Sequence, residues 1–131
     1  MLLLLTLIIE QLYHLCHCPV FPDQRYVVAE VKSGHMLRVE CKKGTLRRSK
    51  SSAEYPLLRE ALGQLVTIDS VGENDILAVA VPKSEKFESL ARRWREAPLI
   101  KKFGIQILTV ARDGSVTGLD TAKLCHALDR L

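Results

Sequence analysis

The run from Asp75 to Pro82, DILAVAVP, constrains the fold of this chain more than any other stretch. From Ile76 onward it is apolar at every position, without the alternation of a strand that faces water on one side. That is the pattern of a short strand buried on both faces, as in the middle of an α/β sheet. A second such run, GIQILTVA at 104–111, follows it. Around them the spacing of apolar residues changes to that of helices. EYPLLREALGQLVTI at 54–68 puts Tyr55, Leu58, Leu62 and Leu65 on one stripe, with Ser52 or a neighbour as cap and Pro56 in the first turn. Glu60 and Gln64 lie four apart and share a face of that helix. SEKFESLARRWREA at 84–97 starts at a capping Ser84, turns Phe87, Leu90, Ala91 and Trp94 inward, and is closed by Pro98. Its other side carries Arg92, Arg93 and Arg95, either a solvated face or the extension of a basic rim. A turn at 112–115 leads to a short last strand, and Asp120 caps a final helix over 120–131. Strands alternating with helices predict a mixed α/β sheet flanked by helices.

The stretch that carries chemistry is residues 22–44, PDQRYVVAEVKSGHMLRVECKKG. Its valine-rich runs, bounded by turn residues, predict a β-hairpin that turns at Ser33-Gly34. In the second strand Glu40 and Lys42 are two apart, so both side chains leave the same face. A two-residue turn makes paired residue numbers sum to about 67, which puts Asp23, Arg25 and Val27 on that face. Asp23 then stands beside Lys42, and two carboxylates with a lysine form an acidic metal site. A three-residue turn would instead shift the register by one and bring Tyr26 to the Lys42 end, with Glu30 as a substitute acid.

Pro22-Asp23 followed by Glu40-Cys41-Lys42 resembles the signature of the PD-(D/E)XK nuclease superfamily, which has the restriction-endonuclease-like fold. The order of elements from RVECKKG through YPLLREALGQL to DILAVAVP is similar to that family over roughly residues 5–112. The resemblance implies one nuclease-like domain over 1–131, with a further strand near 18–22. It implies that Asp23, Glu40 and the backbone carbonyl of Cys41 coordinate Mg²⁺ or Mn²⁺. Lys42 would orient the attacking water or neutralise charge on the phosphate, and Gln64 would reach the site from its helix. Glu10 is either on a solvated stripe or, as the resemblance implies, helps hold a metal-bound water.

Downstream of the hairpin, Lys42, Lys43, Arg47, Arg48 and Lys50 crowd a loop interleaved with glycine and serine. It is either a plain solvated loop or a grip on a DNA or RNA backbone. The net charge of +4 permits a polyanionic partner without demanding one. The 131 residues are 47% hydrophobic, which excludes a disordered chain and allows a real core. Leu2 to Ile9 is apolar but for Thr6, has no preceding basic residue and is too short to span a bilayer. Residues 2–17 are therefore expected to form a buried helix ended by Pro19 and Pro22. Cys16, Cys18, Cys41 and Cys125 form no C-x-x-C pair, which argues for a reduced, cytoplasmic setting and against zinc, even beside His14 and His17. A homodimer is expected from the fold resembled. Two other classes stay open: a nuclease-like domain that binds nucleic acid or a protein without cleaving, and an interaction domain in which Glu40 and Lys42 are a surface ion pair.

Overall fold

The computed structural model describes residues 7–10, 13, 26–32, 35–42 and 54–119. Residues 7–10 and 13 belong to a helix, α1. There follow β1 (Tyr26–Lys32), β2 (His35–Cys41), α2 (Glu54–Val66), β3 (Ile76–Pro82), α3 (Glu85–Arg95), α4 (Pro98–Phe103), β4 (Gln106–Val110) and β5 (Val116–Thr117). The strands form one mixed sheet in the order β1-β2-β3-β4-β5. The outer pairs, β1 with β2 and β4 with β5, are antiparallel, and β2, β3 and β4 run parallel. A parallel neighbour needs a crossover, and α2 supplies the one from β2 to β3 while α3 and α4 supply the one from β3 to β4. The α/β sheet flanked by helices expected from the apolar runs is the architecture observed.

Both faces of the sheet are covered, which is why β3 and β4 contain no polar alternation. Leu37, Val39 and Cys41 of β2 pack with Ala78, Ala80, Leu108 and Val110 beneath Ile8 of α1. Val79, Val81 and Ile107 on the opposite face pack against Leu58, Ala61 and Leu65 of α2, and against Phe87, Leu90 and Ala91 of α3. Each fully buried leucine or valine contributes about 1.5–3 kcal/mol relative to exposure, so the two layers carry most of the driving force.

Helix α3 begins as expected: Ser84 is extended and its Oγ accepts from the Phe87 N–H at 3.1 Å. Its end differs. Pro98 does not only stop a helix; it occupies the first turn of another, α4, which closes on Gly104 in the left-handed conformation (φ 66°). Tyr55 also departs from expectation. It lies off the buried stripe, 42% exposed, while Ala61 takes the buried place beside Leu58 and Leu65.

The hairpin register needs a further correction. Lys32 pairs with His35, but beyond an irregularity between Glu30 and Lys32 the partners become Glu30–Met36, Val28–Arg38 and Tyr26–Glu40. An extra residue in β1 lowers the pair sum by one. Val27 therefore stands opposite Val39, not on the row of Glu40, and Tyr26 is the residue across from Glu40. The turn at 33–34, the strand near 18–22, the loop from Lys43 to Lys50 and the helix over 120–131 lie outside the described residues.

Candidate functional site

Strand β2 carries its chemistry on the side that faces α2. Leu37, Val39 and Cys41 enter the layer under α1, so Met36, Arg38, Glu40 and Lys42 turn to the opposite side. Glu40 and Lys42 are buried there, at 6% and 5% exposure. Charged groups at that depth need partners, because an uncompensated buried charge is costly. Lys42 finds one on α2: its Nζ lies 2.9 Å from Glu60 Oε1. The pair is asymmetric, since the Lys42 side chain is 6% exposed and that of Glu60 is 52% exposed. Arg38 has a carboxylate of its own, Asp75, whose Oδ2 accepts from Nε at 2.8 Å. The row thus reads cation, carboxylate, cation, and each cation is met by an acid from a later segment.

Helix α2 supplies the other wall. Leu58, Ala61 and Leu65 point into the core, leaving two flanks. Glu60 lies on the flank toward β2. Tyr55 lies on the flank toward α3, where its ring meets Trp94 edge-on with centroids 5.8 Å apart and Arg59 sits over it at 5.5 Å. Gln64 is one turn beyond Glu60. Four helical residues advance about 6 Å and two strand residues about 6.6 Å. Since α2 returns antiparallel to β2, ideal geometry alone would set Gln64 at about the level of Glu40 when Glu60 meets Lys42. The Gln64 Oε1 is buried and has no hydrogen-bond partner among the described residues. Thr109 is also buried on this face, and its hydroxyl donates to Glu88 Oε1 on α3.

Of the residues expected at the site, Glu40 and Lys42 are buried on the face of β2 that meets α2, and Gln64 stands on α2 one turn beyond Glu60. The thiol of Cys41 belongs to the layer beneath α1, on the face of the sheet opposite Glu40 and Lys42. Glu10 is exposed on α1, whose Ile8 packs against the other face of the sheet, so α1 is not the wall that meets Glu40 and Lys42. Asp23 and the basic residues Lys43, Arg47, Arg48 and Lys50 lie outside the described residues, as do His14, Cys16, His17 and Cys18. Among the described residues no group of three histidine, cysteine, aspartate or glutamate side chains is placed to hold a metal ion. Glu60 was legible only as sharing a face with Gln64; its pairing with Lys42 depends on where α2 lands. Arg95, expected on a basic face, instead donates from Nε and Nη2 to the Ile107 carbonyl at 3.1 and 2.7 Å.

The fold and site define an α/β protein with a buried Glu-x-Lys pair under a crossover helix. No family model, curated protein or solved structure matches the chain.

Proposed function

We propose that this chain is a metal-dependent nuclease of the PD-(D/E)XK type, with the restriction-endonuclease-like fold, acting on the phosphodiester backbone of DNA or RNA. The observation that supports the reading most is the placement of Glu40 and Lys42. They lie two apart on the second strand of an antiparallel hairpin, on the face met by the helix that follows, with Gln64 projecting from that helix. The order hairpin, helix, parallel strand is also that of the fold resembled. In this reading Glu40 and the Cys41 carbonyl, with Asp23, would hold Mg²⁺ or Mn²⁺. The donor chemistry fits in kind, since carboxylate and carbonyl oxygens are what hard cations select. When bound, such an ion polarises a phosphate and lowers the pKa of an attacking water. The chain's own part is positional. Lys42, held from α2 by Glu60, brings a positive charge to where charge develops on the phosphate. The buried carbonyl oxygen of Gln64 is an acceptor suited to orienting a water. Lys43, Arg47, Arg48 and Lys50 would grip the backbone.

A second reading rests on the same ion pair. Lys42 is engaged with Glu60, and a lysine so engaged suits a nuclease-like domain that binds nucleic acid without cutting it. The two separate cleanly. Purified protein is incubated with labelled single- and double-stranded DNA and RNA, with Mg²⁺, Mn²⁺ or EDTA, beside the isosteric Glu40→Gln and Lys42→Met variants. Metal-dependent cutting lost in both variants, with far-UV circular dichroism unchanged, is the expected result. Salt-sensitive binding without cutting moves the function to the second reading. Equal cutting by wild type and variants sinks the site.

A further inference from the structure

We propose that the seam between α2 and α3 binds single-stranded nucleic acid, with Tyr55 as the platform on which a base stacks. The two helices meet there through aromatic rings. Tyr55 lies edge-on to Trp94, with the rings at 89° and their centroids 5.8 Å apart, and Arg59 stands 5.5 Å over the Tyr55 ring. Trp94 is half-buried against the core, whereas Tyr55 is 42% exposed. The tryptophan thus anchors a tyrosine that water still reaches.

The charges along this seam are cations without carboxylate partners. On α3, Glu88 and Arg95, seven apart, both reach β4. Lys86 and Arg93 each stand two positions before one of these, about 200° round the helix, and so on the flank toward α2. Both are exposed, as is Arg59, and none of the three forms an ion pair among the described residues. The carboxylates of Glu60, Glu88 and Glu96 on the same two helices are taken up by Lys42, Thr109 and Lys101. An aromatic ring among unpaired cations suits a ligand that brings flat π faces and a run of negative charge together. Single-stranded nucleic acid does both, since its bases stack on tyrosine rings and arginine planes while its phosphates meet the cations. A duplex keeps its bases stacked inside, and an acidic protein segment would use the cations alone. Arg59 and Glu60 are consecutive on α2, so the seam adjoins the Lys42–Glu60 pair. The proposal rests on the nucleic-acid reading of that pair, whether the chain cuts or only binds.

The test is equilibrium binding of fluorescein-labelled oligothymidylate and oligouridylate to the whole chain, with EDTA present so that nothing is cut. Anisotropy gives the affinity, and the emission of Trp94, the only tryptophan, reports on the seam itself. The wild type should bind in a salt-sensitive way and its Trp94 emission should change. Tyr55→Ala, with unchanged far-UV circular dichroism, should bind the single strands at least about fivefold more weakly, while Tyr55→Phe binds like wild type. Arg93→Gln should lower the slope of log K against log salt by about 0.7, the share of one single-strand phosphate contact. A duplex of the same length should not distinguish Tyr55→Ala from wild type. Tyr55→Ala equal to wild type on single strands, or binding that leaves Trp94 emission unchanged, overturns the platform and leaves the nucleic-acid reading standing. No binding to single strands also overturns the proposal, and no binding to the duplex either overturns the nucleic-acid reading with it.

Discussion

Asp75 shows how one residue ties the start of β3 to the row of charges on β2. Its side chain is 2% exposed, and burial alone works to raise its pKa. The hydrogen bond from Arg38, those from the Gly72 and Met36 N–H groups, and the Arg38 charge together outweigh burial and hold the carboxyl below its usual 3.8. A carboxylate with a depressed folded-state pKa contributes stability that is present above the unfolded value. That contribution is lost as pH falls through the folded value. Asp75→Asn should therefore be less stable than wild type at pH 7 by about 1.5–3 kcal/mol, the range for hydrogen bonds to a charged group. The difference should shrink as pH drops below 3.8 and the wild-type carboxylate itself takes up a proton. Urea midpoints of both proteins at pH 7, 5, 4 and 3 measure it. A constant difference across that series would mean that the Asp75 charge contributes nothing.

At the scale of elements, the edge of β4 explains two residues that spacing alone left unplaced. Strand β5 pairs with β4 only at Val110 and Thr109, so it stops short of Ile107. There the Arg95 guanidinium comes up from α3 and donates to the Ile107 carbonyl. Gly118 passes over this contact at φ +94°, and a Cβ there would sit 2.3 Å from the Ile107 oxygen and 2.6 Å from Arg95 Nη2. Gly118→Ala combines backbone strain with a clash and should cost at least about 2 kcal/mol. Gly63→Ala is the opposite case. A Cβ there meets nothing within 4 Å, on an exposed turn of α2, so the exchange should add about 0.5–1 kcal/mol. Thermal melts of the two variants should move in opposite directions, and a shared direction would remove this account of the β4 edge. The same elements show how far the chain can be read without its fold. DILAVAVP was legible because burial on both faces leaves a uniform apolar run, and Ser84 because a cap acts over three residues. Helix α4 was not, because Pro98 stops one helix and starts the next with no polar cap between them. The register of β1 was not, because the irregularity near Glu30 leaves no mark in composition. The Lys42–Glu60 pair was not, because it depends on how far α2 slides along β2.

For the whole molecule, the sheet is a shared wall between two apolar layers. Strand β3 gives Ala78 and Ala80 to the layer under α1, and Val79 and Val81 to the layer under α2 and α3. Neighbouring residues of one backbone thus belong to both, and neither layer can open without exposing the back of the other. The only tryptophan, Trp94, packs on the α2–α3 side and reports that side alone. Leu37 is fully buried on the α1 side. Leu37→Ala removes packing there and should cost about 2–5 kcal/mol, the range for buried leucine truncations. If the sheet couples the layers, the Trp94 fluorescence transition should shift to lower urea by the same amount as the far-UV circular dichroism transition, although Trp94 never meets Leu37. The two probes should also remain coincident, as a single cooperative transition requires. A Trp94 transition that stays in place while circular dichroism splits into two steps would show that the layers unfold separately, with the strand backbones too weak a link to join them.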